Sequence, residues 1–158
     1  MYVNGPAQDR VKIPRMEGYP AHLARERRLA DGRTVLIRPM RKDEASGARE
    51  ARIDYDRHMA FVGEARADDG DRLVGEARYA PSADGRSCDF DMSVADGWNG
   101  SGVGILLLDA LMRFAHAHGF ESMSGLVPPG NADLLRYMKA LGFESQEAQD
   151  SVRVTKKL

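Results

Sequence analysis

The sequence predicts a mixed α/β domain in which an antiparallel meander precedes a parallel β–α–β unit, with helices on both faces of one sheet. Three β-type segments separated by turns run from His58 to Ala95. Helix-periodic and strand-like segments then alternate up to Lys156, and a strand–helix–strand order implies a parallel pair with a right-handed crossover. The 158 residues suit one domain. We expect residues 1–20 to be an arm and residues 21–158 to be that domain.

The individual elements follow from apolar periodicity and from Gly, Pro and Asp turn residues. Two charged segments, Ala21–Leu29 and Arg41–Arg52, are each expected to form a short helix. Two longer helices carry leucines at helical spacing, one ending before Gly119 and one over Ala132–Leu141. The predicted strands cover residues 34–38, 58–64, 72–80, 87–95, 121–127 and 151–156.

Composition excludes several classes of protein. Hydrophobic residues make up 42% of the chain, which excludes a disordered protein. The chain has no run of 18 apolar residues, and its first residues lack the apolar core of a signal peptide, so we expect a cytoplasmic protein. The 23 basic residues balance the 24 acidic ones, which gives no support for a nucleic-acid partner. The single Cys88 and the scattered histidines predict neither a disulfide nor a metal site.

A glycine-rich segment, Trp98–Gly104, lies between a predicted strand and the longest predicted helix. The first amides of a helix lack internal partners, and the helix dipole makes that end partly positive. Glycines let the backbone approach a ligand closely, so such a loop suits a phosphate or diphosphate. Its Gly-x-Gly-x-Gly spacing departs from the Rossmann pattern, and the Gly-Lys-Ser/Thr of a P-loop is absent. A tight turn that needs small residues is the alternative.

Asn99-x-x-Gly102-x-Gly104 and the helix after it resemble the acetyl-CoA loop of the GNAT N-acetyltransferase superfamily. Residues 131–143 (NADLLRYMKALGF) resemble the second conserved block of that superfamily. The chain is more closely similar to the acetyltransferase domain of bacterial Pat-type protein-lysine acetyltransferases, from about Tyr19 to Phe143. That similarity is carried by residues 31–32 (DG), 37–39 (IRP), 53–60 (IDYDRHMA) and 98–100 (WNG).

The resemblance implies acetyl-CoA as co-substrate, an amine as acceptor, and no metal. In the superfamily the strand before the loop is bulged, and its amides pair with the pantetheine arm and supply an oxyanion donor. Asn131 has helix capping as an alternative role. In the family a basic or polar residue is common at the position of Ser101. Since serine lacks the positive charge of a basic side chain, backbone amides would carry the phosphate contacts. The implied acetyl-CoA contacts are Met92, Ser93, Val94, Asn99, Gly100, Ser101, Gly102, Val103, Gly104 and Asn131.

Acetyl transfer requires a group that accepts the proton of the amine, because a lysine amine has a pKa near 10.4. Asp89 and Asp91 precede the glycine loop, and their i, i+2 spacing places both carboxylates on one face of a strand. The resemblance places Asp89 where Pat-type domains carry a general-base Glu; two solvated carboxylates are the alternative. GNAT enzymes often have a general-acid Tyr at the position of Met138, which makes the neighbouring Tyr137 the candidate acid, turned by about 100° around the helix.

These features and the resemblance predict an acetyl-CoA-dependent N-acetyltransferase with an amine as acceptor, attacked directly after a carboxylate assists its deprotonation. The resemblance to Pat-type domains implies a protein lysine as that amine. Met40–Arg52 is shorter than the helical segment that helps to form the acceptor side in Pat-type domains. A small-molecule amine acetyltransferase and a non-catalytic acyl-CoA-binding module therefore stay open as alternatives. The arm and the sheet edge left by the short segment are compatible with a homodimer.

Overall fold

The computed structural model describes residues 18–44 and 53–158, and these residues form the mixed α/β sheet that the sequence predicts. Eight strands lie in the order β1-β2-β3-β4-β5-β6-β8-β7. The strands are β1 (Arg25–Arg28), β2 (Thr34–Pro39), β3 (Met59–Ala65), β4 (Arg72–Pro81), β5 (Ser87–Val94), β6 (Ser122–Val127), β7 (Glu144–Ala148) and β8 (Ser151–Lys157). The helices are α1 (Val103–Ala117) and α2 (Ala132–Ala140), with 3-10 turns at Ala21–Leu23 and Lys42–Glu44. In these ranges no helix is long and apolar enough to span a bilayer.

One predicted helix, over Ala21–Leu29, is wrong, and the structure describes only the first part of a second one. Arg25–Arg28 forms the edge strand β1, which pairs antiparallel with β2. An edge strand keeps its charged side chains in water, so the charge run is compatible with a strand. Of the helix expected over 41–52, the structure shows a 3-10 turn at Lys42–Glu44. The rest of that segment and residues 1–17 of the expected arm lie outside the described residues.

Helix α1 packs against the meander through side chains at helical spacing. Leu107, Leu111 and Ala115 are fully buried against β2–β5. A Cβ added at Gly75 would lie 2.9 Å from Leu107 Cδ1, so this glycine lets the helix approach the sheet. Met138 of α2 belongs to the same core, whereas Ala21 packs with Leu36 on the opposite face of the sheet.

The parallel strands β5 and β6 are paired over only part of their length, which positions the candidate site. Their ladder runs from Ser87–Ser122 to Phe90–Gly125. Strand β5 continues to Val94 while it pairs with β4 on its other side. The Phe90 ring lies over Gly125, where an added Cβ would be 2.5 Å from ring carbons. A cleft therefore opens between β5 and β6 beyond Phe90.

A buried ion cluster lies on the sheet face opposite α1. The Arg38 side chain is 1% exposed, and its guanidinium donates to both oxygens of Glu44 at 2.7 Å and to Glu64 at 2.9 Å. Burial opposes ionisation of Glu44, but the hydrogen bonds from Arg38 outweigh it and lower the pKa of Glu44 to about 2. This cluster ties the 42–44 turn to β2 and β3.

Candidate active site

A cavity of about 530 Å³ lies where β5 and β6 separate. Asp89 and Asp91 of β5 line it, opposite Leu126 of β6. The two aspartates are exposed and alternate with the buried Cys88 and Phe90, because successive side chains of a strand point to opposite faces. The prediction that both carboxylates share one face is confirmed.

The two carboxylates have partners of different charge. Arg78 is the register partner of Asp91 on β4, and its Nη2 lies 3.3 Å from Asp91 Oδ2. Asp89 Oδ2 accepts a hydrogen bond from the neutral Ser82 hydroxyl at 3.0 Å. Arg78 thus offsets the charge of Asp91, whereas Asp89 forms no salt bridge within residues 18–44 and 53–158.

Sequence reasoning missed four ionisable residues at this site, namely His58, Glu76, Arg78 and Arg153. Glu76 lies beside Arg78 on β4, and burial together with the charge of Asp91 raises the pKa of Glu76. His58 and Arg153 line the cavity from the start of β3 and from β8. The alternation of Glu76 and Arg78 along β4 could have indicated from the sequence that β4 has a charged face. Arg153 gave no such signal, because its place depends on β8 lying next to β6.

The glycine loop forms the N-terminal end of α1. Gly102 is the N-cap at φ +96°, and Gly100 also has a left-handed φ of +76°. Ser101 Oγ donates to the Trp98 carbonyl at 2.5 Å and accepts from the Val103 amide at 3.3 Å. The next amides of the first turn have no partner within the helix.

The space in front of this loop suits an anionic group. A Cβ added at Gly100 or at Gly102 would meet no atom within 4 Å. Gly104 instead faces the core, where an added Cβ would lie 3.4 Å from Val94 and 3.6 Å from Met92. Open space, unpartnered amides and the positive end of the α1 dipole together fit a diphosphate.

The hairpin turn between β1 and β2 supports the loop. The Arg33 guanidinium lies 3.9 Å from the centroid of the Trp98 ring and donates to the Gly97 carbonyl at 3.1 Å. Asp31 holds the same guanidinium at 2.7 Å. These contacts connect the loop to the β1–β2 turn. They join segments 64 residues apart, so no local pattern in the sequence predicts them.

The expected bulge at Met92–Val94 is absent from the β4–β5 pairing, whose register is continuous from Gly75–Val94 to Pro81–Cys88. The register shift lies instead between β3 and β4, next to Gly63. Because the β5–β6 ladder ends at Phe90, the backbone of Met92, Ser93 and Val94 borders the cleft without a bulge.

The second conserved block contributes a helix cap and an exposed tyrosine. Asn131 Oδ1 accepts a hydrogen bond from the Leu134 amide at 3.3 Å, which confirms the capping role. Tyr137 is 49% exposed, and Met138 beside it is buried. Within the described ranges Tyr137 is not among the residues that line the cavity with Asp89 and Asp91. The structure therefore does not bring the candidate acid to the candidate base.

Neither metal chemistry nor a cysteine nucleophile has structural support in residues 18–44 and 53–158. No group of three or more His, Cys, Asp or Glu side chains there is arranged to hold a metal ion. Cys88 is fully buried, and burial raises the pKa of its thiol to about 12. A thiol in this state is a poor nucleophile.

Comparisons with known proteins agree with this geometry. The family model described as "Acetyltransferase (GNAT) family" matches residues 29–143. A curated protein named Acetyltransferase PA5475, from Pseudomonas aeruginosa, is 29% identical in an alignment of 160 residues that covers 82% of this chain and 86% of that protein.

Two solved structures share the fold. The GNAT domain of S. lividans PAT has a TM-score of 0.74 at 20% identity, over 89% of this chain and 99% of that one. A cAMP-binding acyltransferase from Mycobacterium smegmatis has a TM-score of 0.67 at 18% identity, over 85% of this chain and 46% of that one. The family match covers most of the sheet, α1, α2 and the glycine loop. The chain therefore belongs to the GNAT family of acetyltransferases.

Proposed function

We propose that this acetyltransferase moves the acetyl group of acetyl-CoA to an amine acceptor that binds in the cavity beside Asp89. The proposal rests on three features that lie at one end of the sheet. They are the part of β5 beyond Phe90 that no longer pairs with β6, the glycine loop, and this cavity. The acetyl-CoA thioester supplies the activated acetyl group. Everything else in the reaction depends on how the chain binds and orients the reactants and accepts the proton.

The glycine loop binds the diphosphate of CoA in this proposal. The backbone amides of Gly100, Gly102 and Gly104 donate to phosphate oxygens, and Asn99, Ser101 and Val103 flank them. Arg33 and Trp98 hold the loop in the binding conformation. The backbone of Met92–Val94 pairs with the pantetheine arm, and one of its amides donates to the carbonyl oxygen as negative charge develops there.

Asp89 accepts the proton of the acceptor ammonium, directly or through one water molecule. The amine nitrogen then forms the C–N bond, the C–S bond breaks, and its electron pair leaves with the CoA sulfur as thiolate. A thiol pKa of about 8.5 makes this thiolate a tolerable leaving group. Asp91 acts less directly, by holding Arg78 on the cavity wall.

Two acceptor classes remain as proposals. A protein lysine is the first candidate, because residues 31–39, 53–60 and 98–100 resemble those of Pat-type lysine acetyltransferases. A small-molecule amine is favoured by a different observation, namely a cavity of about 530 Å³ with charges of both signs on its walls. That volume lies within the usual range of small-ligand sites.

Replacing Asp89 with Asn tests the proton acceptor. We expect kcat to fall about 100-fold or more, with the affinity for acetyl-CoA unchanged. The loss should shrink as the pH rises, because more of the acceptor is then deprotonated in solution. Asp133→Asn on α2, where the side chain is 84% exposed, is the matched control. An unchanged rate for Asp89→Asn would rule out this residue as the base. Tight acetyl-CoA binding without transfer to any amine would instead select the non-catalytic module.

A further inference from the structure

The cavity beside Asp89 has cationic and apolar groups on the wall that faces the two aspartates. Arg153 of β8 is the register partner of Leu126 of β6, and both line the cavity. Arg153 is exposed, and within residues 18–44 and 53–158 it forms no salt bridge. Leu126 is 57% exposed, which is unusual for a leucine in a strand of the sheet interior. The wall thus offers an exposed guanidinium, outside any salt bridge of the described residues, beside an apolar side chain.

On the opposite wall, one of the two aspartates already has an ionic partner. Arg78 there is already held by Asp91, whereas Asp89 contacts the neutral Ser82. Asp89 and Arg153 are therefore the two ionic groups of the cavity best placed to receive ligand charges. One would bind an ammonium ion, and the other would bind a carboxylate.

The spacing of these two groups matches a small zwitterion. Strand β6 lies between β5 and β8, and Arg153 pairs with Leu126, two residues beyond Ser124, which is the register partner of Asp89. Two strand spacings and two residues along the strand together separate the two backbones by about 12 Å. Two charge-assisted hydrogen bonds of about 2.8 Å within that span leave room for a few bonded atoms between amine and carboxylate. An amino acid has this arrangement, and Leu126 lies where its side chain would pack.

We infer that the acceptor is a small apolar amino acid, whose amine is received by Asp89 and whose carboxylate is bound by Arg153. This inference rests on the acetyl transfer proposed above. It selects the small-molecule class of acceptor and assigns a specificity-determining role to an arginine outside both conserved blocks.

Leucine and leucinamide form the test pair, because they share the amine and side chain and differ in the carboxylate. Leucinamide is the less basic amine, so amine reactivity at neutral pH favours leucinamide. We expect kcat/KM for leucine to exceed that for leucinamide about 10- to 100-fold, the effect of losing a charge-assisted hydrogen bond. A blocked lysine peptide is the third acceptor, and mass spectrometry identifies the acetylated product.

Arg153→Gln should lower kcat/KM for leucine to the level of leucinamide, mainly through KM, and leave leucinamide unaffected. Arg153→Lys should restore part of the preference. Arg136→Gln is the control, since Arg136 is 79% exposed on α2 and does not line this cavity. Unchanged acetyl-CoA binding confirms that each variant is folded.

The possible failures are distinguishable. Equal use of leucine and leucinamide, a preference for the lysine peptide, or an equal effect of Arg153→Gln on both small acceptors would overturn the acceptor class and leave acetyl transfer standing. Absence of transfer to all three acceptors, with acetyl-CoA bound, would overturn the proposed function and the acceptor class together.

Discussion

Replacing Glu44 with Gln tests the buried ion cluster that anchors the 42–44 turn to the sheet. The Glu44 side chain is 16% exposed, and both of its oxygens accept from Arg38 at 2.7 Å. Its pKa falls from 4.5 to about 2 because these bonds outweigh the cost of burial. A shift of this size corresponds to about 3 kcal/mol of folding free energy. Partial solvent screening makes a loss of about 2 kcal/mol at pH 7 our expectation.

The pH dependence of this loss has a defined direction. The folded pKa of Glu44 lies below the unfolded value, so the stabilisation is complete above about pH 5 and is lost as the pH falls from 4.5 towards 2. The Gln variant has no such titration. The difference in unfolding free energy between the two proteins should therefore shrink as the pH is lowered through this window.

Urea unfolding followed by circular dichroism at several pH values between 3 and 7 measures this difference. Asp43→Asn is the matched control, because Asp43 lies in the same turn with a 71% exposed side chain. We expect the control to change stability by less than about 0.5 kcal/mol. A Glu44→Gln loss that stays constant between pH 7 and pH 3 would refute the electrostatic explanation and indicate a packing effect.

Two further substitutions test the cleft and the candidate acid. Gly125→Ala places a Cβ within 2.5 Å of the Phe90 ring and should cost about 1–3 kcal/mol in thermal or urea unfolding. Phe90→Leu in the same chain should recover part of that loss, and no recovery would mean that another contact is responsible. Tyr137→Phe should lower kcat less than about twofold, because a thiolate can leave unprotonated. A tenfold or larger fall in steady-state transfer would establish Tyr137 as the acid despite its exposure.

Much of the fold could be predicted because its patterns are local. The leucines of α1 repeat within a few turns, and the meander strands alternate between turns that Gly and Pro mark. The glycine loop was also predictable, since Gly100 and Gly102 have left-handed φ angles that other residues rarely adopt. The i, i+2 aspartates of β5 needed only the alternation of a strand.

The wrong and missing elements have nonlocal causes. Arg25–Arg28 is a strand because β2 pairs with it, although its composition also suits a helix. Glu144–Ala148 has no apolar alternation, and its strand β7 exists because it pairs with β8. The bulge expected from the resemblance is replaced by the end of the β5–β6 ladder at Phe90.

The sequence by itself determined the GNAT assignment, the mixed sheet, the loop at the start of α1 and the shared face of Asp89 and Asp91. These depend on residue types and short spacings. Only the tertiary structure decided that Arg78 neutralises Asp91, that Arg33 supports Trp98, and that Arg153 lines the same cavity as Asp89. Strand order and register bring these residues together, and both are set by packing between segments that are distant in the chain.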